Sequence, residues 1–200
     1  MKFIVFEGID GSGKSTQARL LAQALQARGL PVLATRQPSD GAVGKVMRSA
    51  TDGILPLENE TMALLVAADR FQHVHDEIKP ALAAGKFVIC DRFYHSSFAF
   101  QGIDDGAFAR VAAYNAQVIA SQKPDITFFL DVPPEECMHR ITAGRNYGGR
   151  YDSVAQLTAV RARYLQIFAQ VQPEEIICML NGSASKEAIA AQVLATIFPA

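Results

Sequence analysis

Residues 3–16 read FIVFEGIDGSGKST: a continuous apolar run, a glycine-rich turn, then a lysine and two hydroxyls. Gly8, Gly13, Lys14 and Ser15 occupy the fixed places of the phosphate-loop pattern GxxxxGK[ST]. Phe3 to Phe6 has the character of a strand buried on both faces of a parallel sheet. After Ser15 the pattern turns helical, with Ala18, Leu21, Ala22 and Leu25 at spacings of three and four, and Gly29 is placed to end the helix. A strand, a glycine turn and a helix N-terminus make an anion site. Backbone N–H groups of residues 11–16 converge on phosphate oxygens, and the helix dipole adds partial positive charge. Lys14 supplies a full charge, and Ser15 offers a hydroxyl to Mg²⁺. The motif reads as a cradle for nucleotide phosphates and leaves the reaction open.

Working outward, apolar β-rich runs recur at 32–34, 87–90, 126–132 and 176–180, separated by helical patterns. That alternation predicts an α/β fold with a parallel sheet covered on both faces. No repeat, low-complexity tract or linker divides the chain, so the expectation is a single domain spanning residues 1–200. Half of the residues are hydrophobic and a fifth are charged, as in globular chains. A net charge of −1 gives no general reason to expect a nucleic-acid or membrane partner. No apolar run approaches the roughly 18 residues of a membrane span, and the chain opens on a strand rather than a secretory leader. A cytoplasmic location follows as the expectation. Cys90, Cys137 and Cys178, an odd number in or beside apolar stretches, read as reduced core thiols.

Residues 58–84 carry apolar side chains near a helical period and predict one long helix, bent before Pro80. Residues 154–171 form a second long amphipathic pattern. Just before it lies TAGRNYGGR, residues 142–150, which reads as a mobile basic loop suited to closing over a transferring phosphoryl group. Asp91 and Arg92 follow the third apolar run, and Arg36 follows the second, at strand ends where ligands of α/β folds bind. Asp91 can hold Mg²⁺ through water, and the arginines can fork phosphate. This is more positive charge than one nucleoside triphosphate needs, and a second phosphate-bearing substrate accounts for the surplus. FYHSSFAFQG, after Arg92, mixes aromatic rings with amide and hydroxyl groups and can line a base pocket or fill core. His73 and His75, two apart on a helix, do not share a face and do not read as a metal site.

FEGIDGSGKST, LLVAADRFQHVHDEIKPALAAGK and above all DRFYHSSFAFQG resemble thymidylate kinases, the dTMP kinases among the P-loop nucleoside monophosphate kinases. The resemblance covers nearly the whole chain and is strongest over residues 1–102. It implies a three-layer P-loop NTPase fold, with a five-stranded parallel sheet, helices on both faces and a short mobile lid at about 142–150. It also implies phosphoryl transfer from ATP to dTMP with Mg²⁺, in a homodimer packed through long helices. Gly8, Ile9, Asp10, Gly11, Ser12, Gly13, Lys14, Ser15 and Thr16 would then hold the ATP phosphates. Asp10 would also accept the 3′-hydroxyl of dTMP, and Arg36 and Arg92 its phosphate. Asp91 and Ser15 would lie at the metal, Arg70 would read the thymine edge, and Ser96 and Gln101 would stand beside the base. Phe100 would pack under the deoxyribose and crowd a 2′-hydroxyl. Arg140 resembles the arginine that stacks on adenine. Gly11 leaves the P-loop without an arginine, so the resemblance is to the type whose catalytic arginine is in the lid. Arg145 is then the transition-state group beside Lys14, Asp91 and Arg92, and Arg150 is a further phosphate ligand. Two positions depart from the pattern. Val66 stands where the family carries a phenylalanine on the base, and QPSDGAVGK follows Arg36 where relatives have EPGGTPLGE.

Two other readings remain. A kinase of the same fold could use another monophosphate or a nucleoside, although two acceptor-side arginines favour a phosphorylated acceptor. A GTPase-type switch would need an NKxD segment after a strand, whereas Gln122-Lys123-Pro124-Asp125 precedes one and lacks the asparagine.

Overall fold

In the computed structural model, which describes residues 1–102, 105–144, 153–171 and 174–199, every apolar run named above becomes a strand. The strands are β1 (Phe3–Glu7), β2 (Val32–Arg36), β3 (Phe87–Asp91), β4 (Ile126–Asp131) and β5 (Ile177–Asn181). They pair in parallel in the order β2-β3-β1-β4-β5. The three central strands are almost wholly buried and the two edge strands only partly, as their continuous and broken apolar runs require.

Alternate side chains of the central strands feed two separate cores, because the side-chain period of a strand is two. Ile4, Phe6, Phe87, Ile89, Phe128 and Leu130 face α1 (Lys14–Ala27) and α9 (Lys186–Ile197). Phe3, Val5, Val88, Cys90 and Phe129 face the other layer. That layer draws on α3 (Asn59–His73), α5 (Tyr94–Gln101), α6 (Asp105–Ser121), α7 (Pro134–Gly144) and α8 (Val154–Val171). A small cluster of Met47, Ala50 and Met62 joins α2 (Ala42–Thr51) to α3. The result is three layers, helix on sheet on helix.

Gly29, at φ +73°, ends α1 with the N–H of Leu30 returning to the carbonyl of Leu25. The expected single helix over 58–84 is interrupted differently from a simple bend. Between α3 and α4 (Lys79–Ala83) lies a π-helical turn, Val74–Ile78. Pro80 has no N–H to give and its ring crowds the carbonyl four residues back, and a wider turn before it relieves both problems. The aromatic stretch after Arg92 is helix α5, with Tyr94 and Phe98 packed in the core.

The chain leaves β1 between β3 on one side and β4 on the other. At this switch point the connections depart to opposite faces and open a crevice beyond the carboxyl ends of the strands. The glycine-rich loop fills that position. No described helix is long and apolar enough to cross a membrane, and the described residues contain no group of three or more His, Cys, Asp or Glu that could hold a metal.

Candidate active site

The loop between β1 and α1 is built from conformations that glycine alone tolerates. Gly11 sits at φ +79° with its Cα facing the carbonyl of Cys137, where an added Cβ would lie 2.6 Å from the oxygen. Gly13, at φ +98°, leads into α1 with no side-chain cap, so the first N–H groups of the helix stay available to an anion. Lys14 is 6% exposed and donates from Nζ to the carbonyl of Ile9 at 2.7 Å and toward Ser12 Oγ at 3.5 Å. Burial first, and the Arg92 charge second, push its pKa down from 10.5 to about 8. Gly11, Gly13, Lys14, Ser15 and Thr16 form one wall of a cavity of about 600 Å³.

Opposite walls come from the ends of β2 and β3 and from α7. Arg36, Asp91, Arg92 and Arg140 all line this cavity with Asp10, residues from four separate parts of the chain. The hydroxyl of Ser15 donates to Asp91 Oδ2 in a short contact, while Asp91 Oδ1 is buried with no hydrogen-bond partner among the described residues. A hydroxyl beside a carboxylate with a spare buried oxygen is a hard-oxygen set. It fits a divalent cation such as Mg²⁺ that takes its other ligands from phosphate and water.

Arg92 is held on every side. Its Nη2 donates to Asp10 Oδ1 at 2.6 Å, and Nη1 reaches the carbonyl of Gly8, Ser96 Oγ and Tyr164 Oη at 3.1, 3.1 and 3.2 Å. Its guanidinium lies over the Phe100 ring, 4.9 Å from the centroid. Burial works against its charge, but Asp10, Tyr164, Asp91 and Glu7 together outweigh burial and raise its pKa.

Arg36 is more exposed and pairs with Asp40 at 2.9 Å. Three further residues on this side were not among those singled out in the sequence: Gln37, Pro38 and Arg48 line the same cavity. The Gln37–Pro38 bond is cis. Arg48 Nη1 donates to the carbonyls of Pro38 and Ser39, and its Nη2 approaches Asp40 at 3.2 Å. From the other side the buried carboxylate of Asp69 accepts the N–H of Ser39 at 2.7 Å and its hydroxyl at 2.5 Å. The loop at 37–41 is thus gripped by an arginine on its carbonyls and an aspartate on its donors.

Arg70, Ser96, Phe100, Gln101 and Val66 are not among the residues that line this cavity. Arg70 is 1% exposed and spends most of its donors on protein. Nε donates to Gln37 Oε1 at 2.7 Å, Nη1 to Ser97 Oγ at 2.8 Å and to Asn115 Oδ1, and Nη2 to the carbonyl of Phe93 at 3.2 Å. Burial lowers its pKa to about 10 against the opposing pull of Glu7. Through Gln37 the network reaches His73, whose Nδ1 lies 3.2 Å from Gln37 Nε2 and whose Nε2 lies 2.8 Å from Thr35 Oγ1. An amide nitrogen has only hydrogens to offer, so His73 carries its proton on Nε2, and burial lowers its pKa. His75 is exposed and pairs with Asp76, so the two histidines share no site. Gln101 presents a buried Oε1 with no hydrogen-bond partner among the described residues. Val66 packs against Met47, Ala50 and Met62.

Ser96 belongs to a second buried network around Glu7, a carboxylate that ends an otherwise apolar strand. That lone charge was a visible signal in FIVFE; its partner Tyr164, at an apolar position of a long helix, gave none. Ile9 and Ser12, in the loop itself, are buried. Arg140 bridges the P-loop and the turn after β5: Nη2 donates to Glu136 and to the carbonyl of Gly182 at 3.0 Å, and Nη1 approaches the carbonyl of Gly11 at 3.4 Å. Arg145 and Arg150 lie outside the described residues. All three cysteines are free, and burial raises the thiol pKa of Cys137 to about 11.

A model of the family described as thymidylate kinase matches residues 6–193 of this chain. The chain is 41% identical to a probable thymidylate kinase of Thermococcus onnurineus, over 98% of its own length and 96% of the relative's. It is 40% identical to another from Thermococcus kodakarensis, with the same coverage of both chains. To the thymidylate kinase of Cutibacterium acnes it is 37% identical, over 94% of this chain and 91% of the relative. A P-loop facing two strand-end arginines across one cavity, on a five-stranded parallel sheet, agrees with these matches along the chain, and the protein belongs to the thymidylate kinase family.

Proposed function

We propose that the protein transfers the γ-phosphoryl group of ATP to dTMP, giving dTDP and ADP. The observation that carries this reading is the shared cavity: a triphosphate cradle and the acceptor-side arginines Arg36 and Arg92 open onto the same space. Two phosphates brought together there are positioned for in-line transfer, which needs little from the protein beyond alignment and compensation of charge. The amides of residues 11–16 and Lys14 hold the β- and γ-phosphates of ATP. Bound Mg²⁺, for which Ser15 and Asp91 are the fitting side chains, would neutralise phosphate charge. Arg36 and Arg92 hold the acceptor phosphate, Asp10 accepts the 3′-hydroxyl, and Arg140 lies against adenine. Arg145 brings charge to the transition state, and Arg150 assists.

The thymine reading is supported by Gln101 Oε1, a buried acceptor suited to the N3–H of thymine. Cytosine has an acceptor at N3 in place of this N–H and would set its lone pair against that oxygen. Arg70 has five N–H groups and uses four in the bonds given above, so one remains for the O4 carbonyl. Phe100, whose ring lies under the Arg92 guanidinium, is the residue that would pack beneath the deoxyribose and crowd a 2′-hydroxyl.

The chain acts as a single domain with its lid at about 142–150, where 142–144 form the end of α7, in the cytoplasm, as a homodimer. The dimer is supported by Leu64 and Phe71, two turns apart on α3 and about half exposed, and by exposed Phe108 on α6, a helix that packs against α3. ADP release measured with dTMP, dUMP, dCMP, dGMP and thymidine tests the substrate. dTMP is expected to be turned over fastest, and faster turnover of another acceptor would refute the assignment.

A further inference from the structure

Glu7 is 0% exposed, and a carboxylate so buried is costly unless its oxygens are satisfied. Four donors satisfy it: the N–H groups of Phe93 at 2.8 Å and Ser96 at 3.3 Å, and the hydroxyls of Ser96 at 2.7 Å and Tyr164 at 2.8 Å. The same two hydroxyls accept from Nη1 of Arg92 and lie 2.7 Å from each other. Carboxylate and guanidinium are therefore coupled through two hydroxyls that each face both charges.

Arg92 needs such support. It sits at φ +73°, a left-handed conformation that disfavours a residue with a Cβ by roughly 1–2 kcal/mol and persists where the surroundings impose it. With Nη1 turned into the protein and Nη2 on Asp10, the Nε–H and one Nη2–H remain outside these bonds, two donors for a phosphate.

We propose that Tyr164 and Glu7 are positioning residues of the reaction, holding the Nη1 edge of Arg92 so that its other donors meet the acceptor phosphate. That role rests on Arg92 receiving the acceptor as proposed above. Tyr164 comes from α8, whose Arg161 also grips Asp131 at the end of β4 through two bonds of 2.6 and 2.9 Å. The helix is thereby fixed to the strand ends at two points, and the acceptor arginine is aligned by a residue 157 positions from Glu7.

Tyr164→Phe removes one hydroxyl from the aromatic stack with Phe129 and Phe168 and leaves its shape intact. The expected result is a loss of about tenfold in kcat/KM for the acceptor, the cost of one hydrogen bond to a charged group, with KM for ATP unchanged. Phe168→Leu, in the same stack but away from the hydroxyls, is expected to lower Tm while keeping acceptor kinetics. Wild-type acceptor kinetics in Tyr164→Phe, equal losses toward ATP and acceptor, or the same kinetic loss in Phe168→Leu would overturn the assignment. If wild-type enzyme prefers another monophosphate, the dTMP reading fails separately, and the same comparison on that acceptor still tests the link from Tyr164 to Arg92.

Discussion

Replacing Lys14 by methionine should make the free protein more stable while disabling it. The folded protein buries this ammonium and lowers its pKa from 10.5 to about 8, so the unfolded chain binds the proton more tightly. A difference of about 2.5 at 1.36 kcal/mol each costs the folded state about 3 kcal/mol. The sign follows from proton binding. Below about pH 8 both states are charged and the cost is fully present; as pH rises from about 8 toward 10.5 the folded state sheds the proton that the unfolded chain still holds, and the cost shrinks until both are neutral. Methionine keeps the length of the side chain without the charge, but leaves the carbonyl of Ile9 without its donor, a loss of about 1 kcal/mol. The net gain is about 2 kcal/mol near neutral pH, or about 4–8 °C in Tm for a chain of this size, falling to zero or below near pH 10.5. Urea titrations across this pH range, with and without ATP and Mg²⁺, read the effect directly. The variant should also lose most of the stabilisation that ATP gives the wild type, and about a thousandfold in turnover. A Lys14→Met protein less stable than wild type at neutral pH, or a gain that does not change with pH, would refute the reasoning.

Arg145→Ala should lower turnover about 100- to 1000-fold and weaken dTMP binding by much less, because its charge is needed as the transition state forms. Unchanged turnover in steady-state assays would move that role to Arg150. Asp40→Asn should lower KM for dTMP by about two- to fivefold with kcat unchanged, since the exposed carboxylate occupies Arg36 and Arg48 and repels an incoming phosphate. The difference should shrink at high salt, and a raised KM would mean that Asp40 orients the arginines instead.

The fold was largely legible because its signals are local. The buried strands are unbroken apolar runs, the loop glycines occupy their motif positions, and Gly29 ends the helix it was expected to end. The interruption at 74–78 was not legible in kind, since a period near 3.6 does not distinguish a bend from a π turn. Around the site, Lys14, Ser15, Arg36, Asp91 and Arg92 were recognisable because each stands at a strand end or in the loop, where the sequence itself marks the position. Arg48 and Asp69 were not, as each looks like an ordinary helix charge until the loop at 37–41 folds between them.

By itself, then, the sequence determined the parallel α/β sheet, the phosphate cradle and the family, all of which rest on residues close together in the chain. Only the tertiary structure decided how the charges are shared. Arg70 is engaged by Gln37, Ser97, Asn115 and Phe93, and Arg92 is coupled to Glu7 through Ser96 and Tyr164. A hydrogen bond depends on distance in space, and between residues as far apart in sequence as Glu7 and Tyr164 that distance exists only once α8 has packed against the sheet.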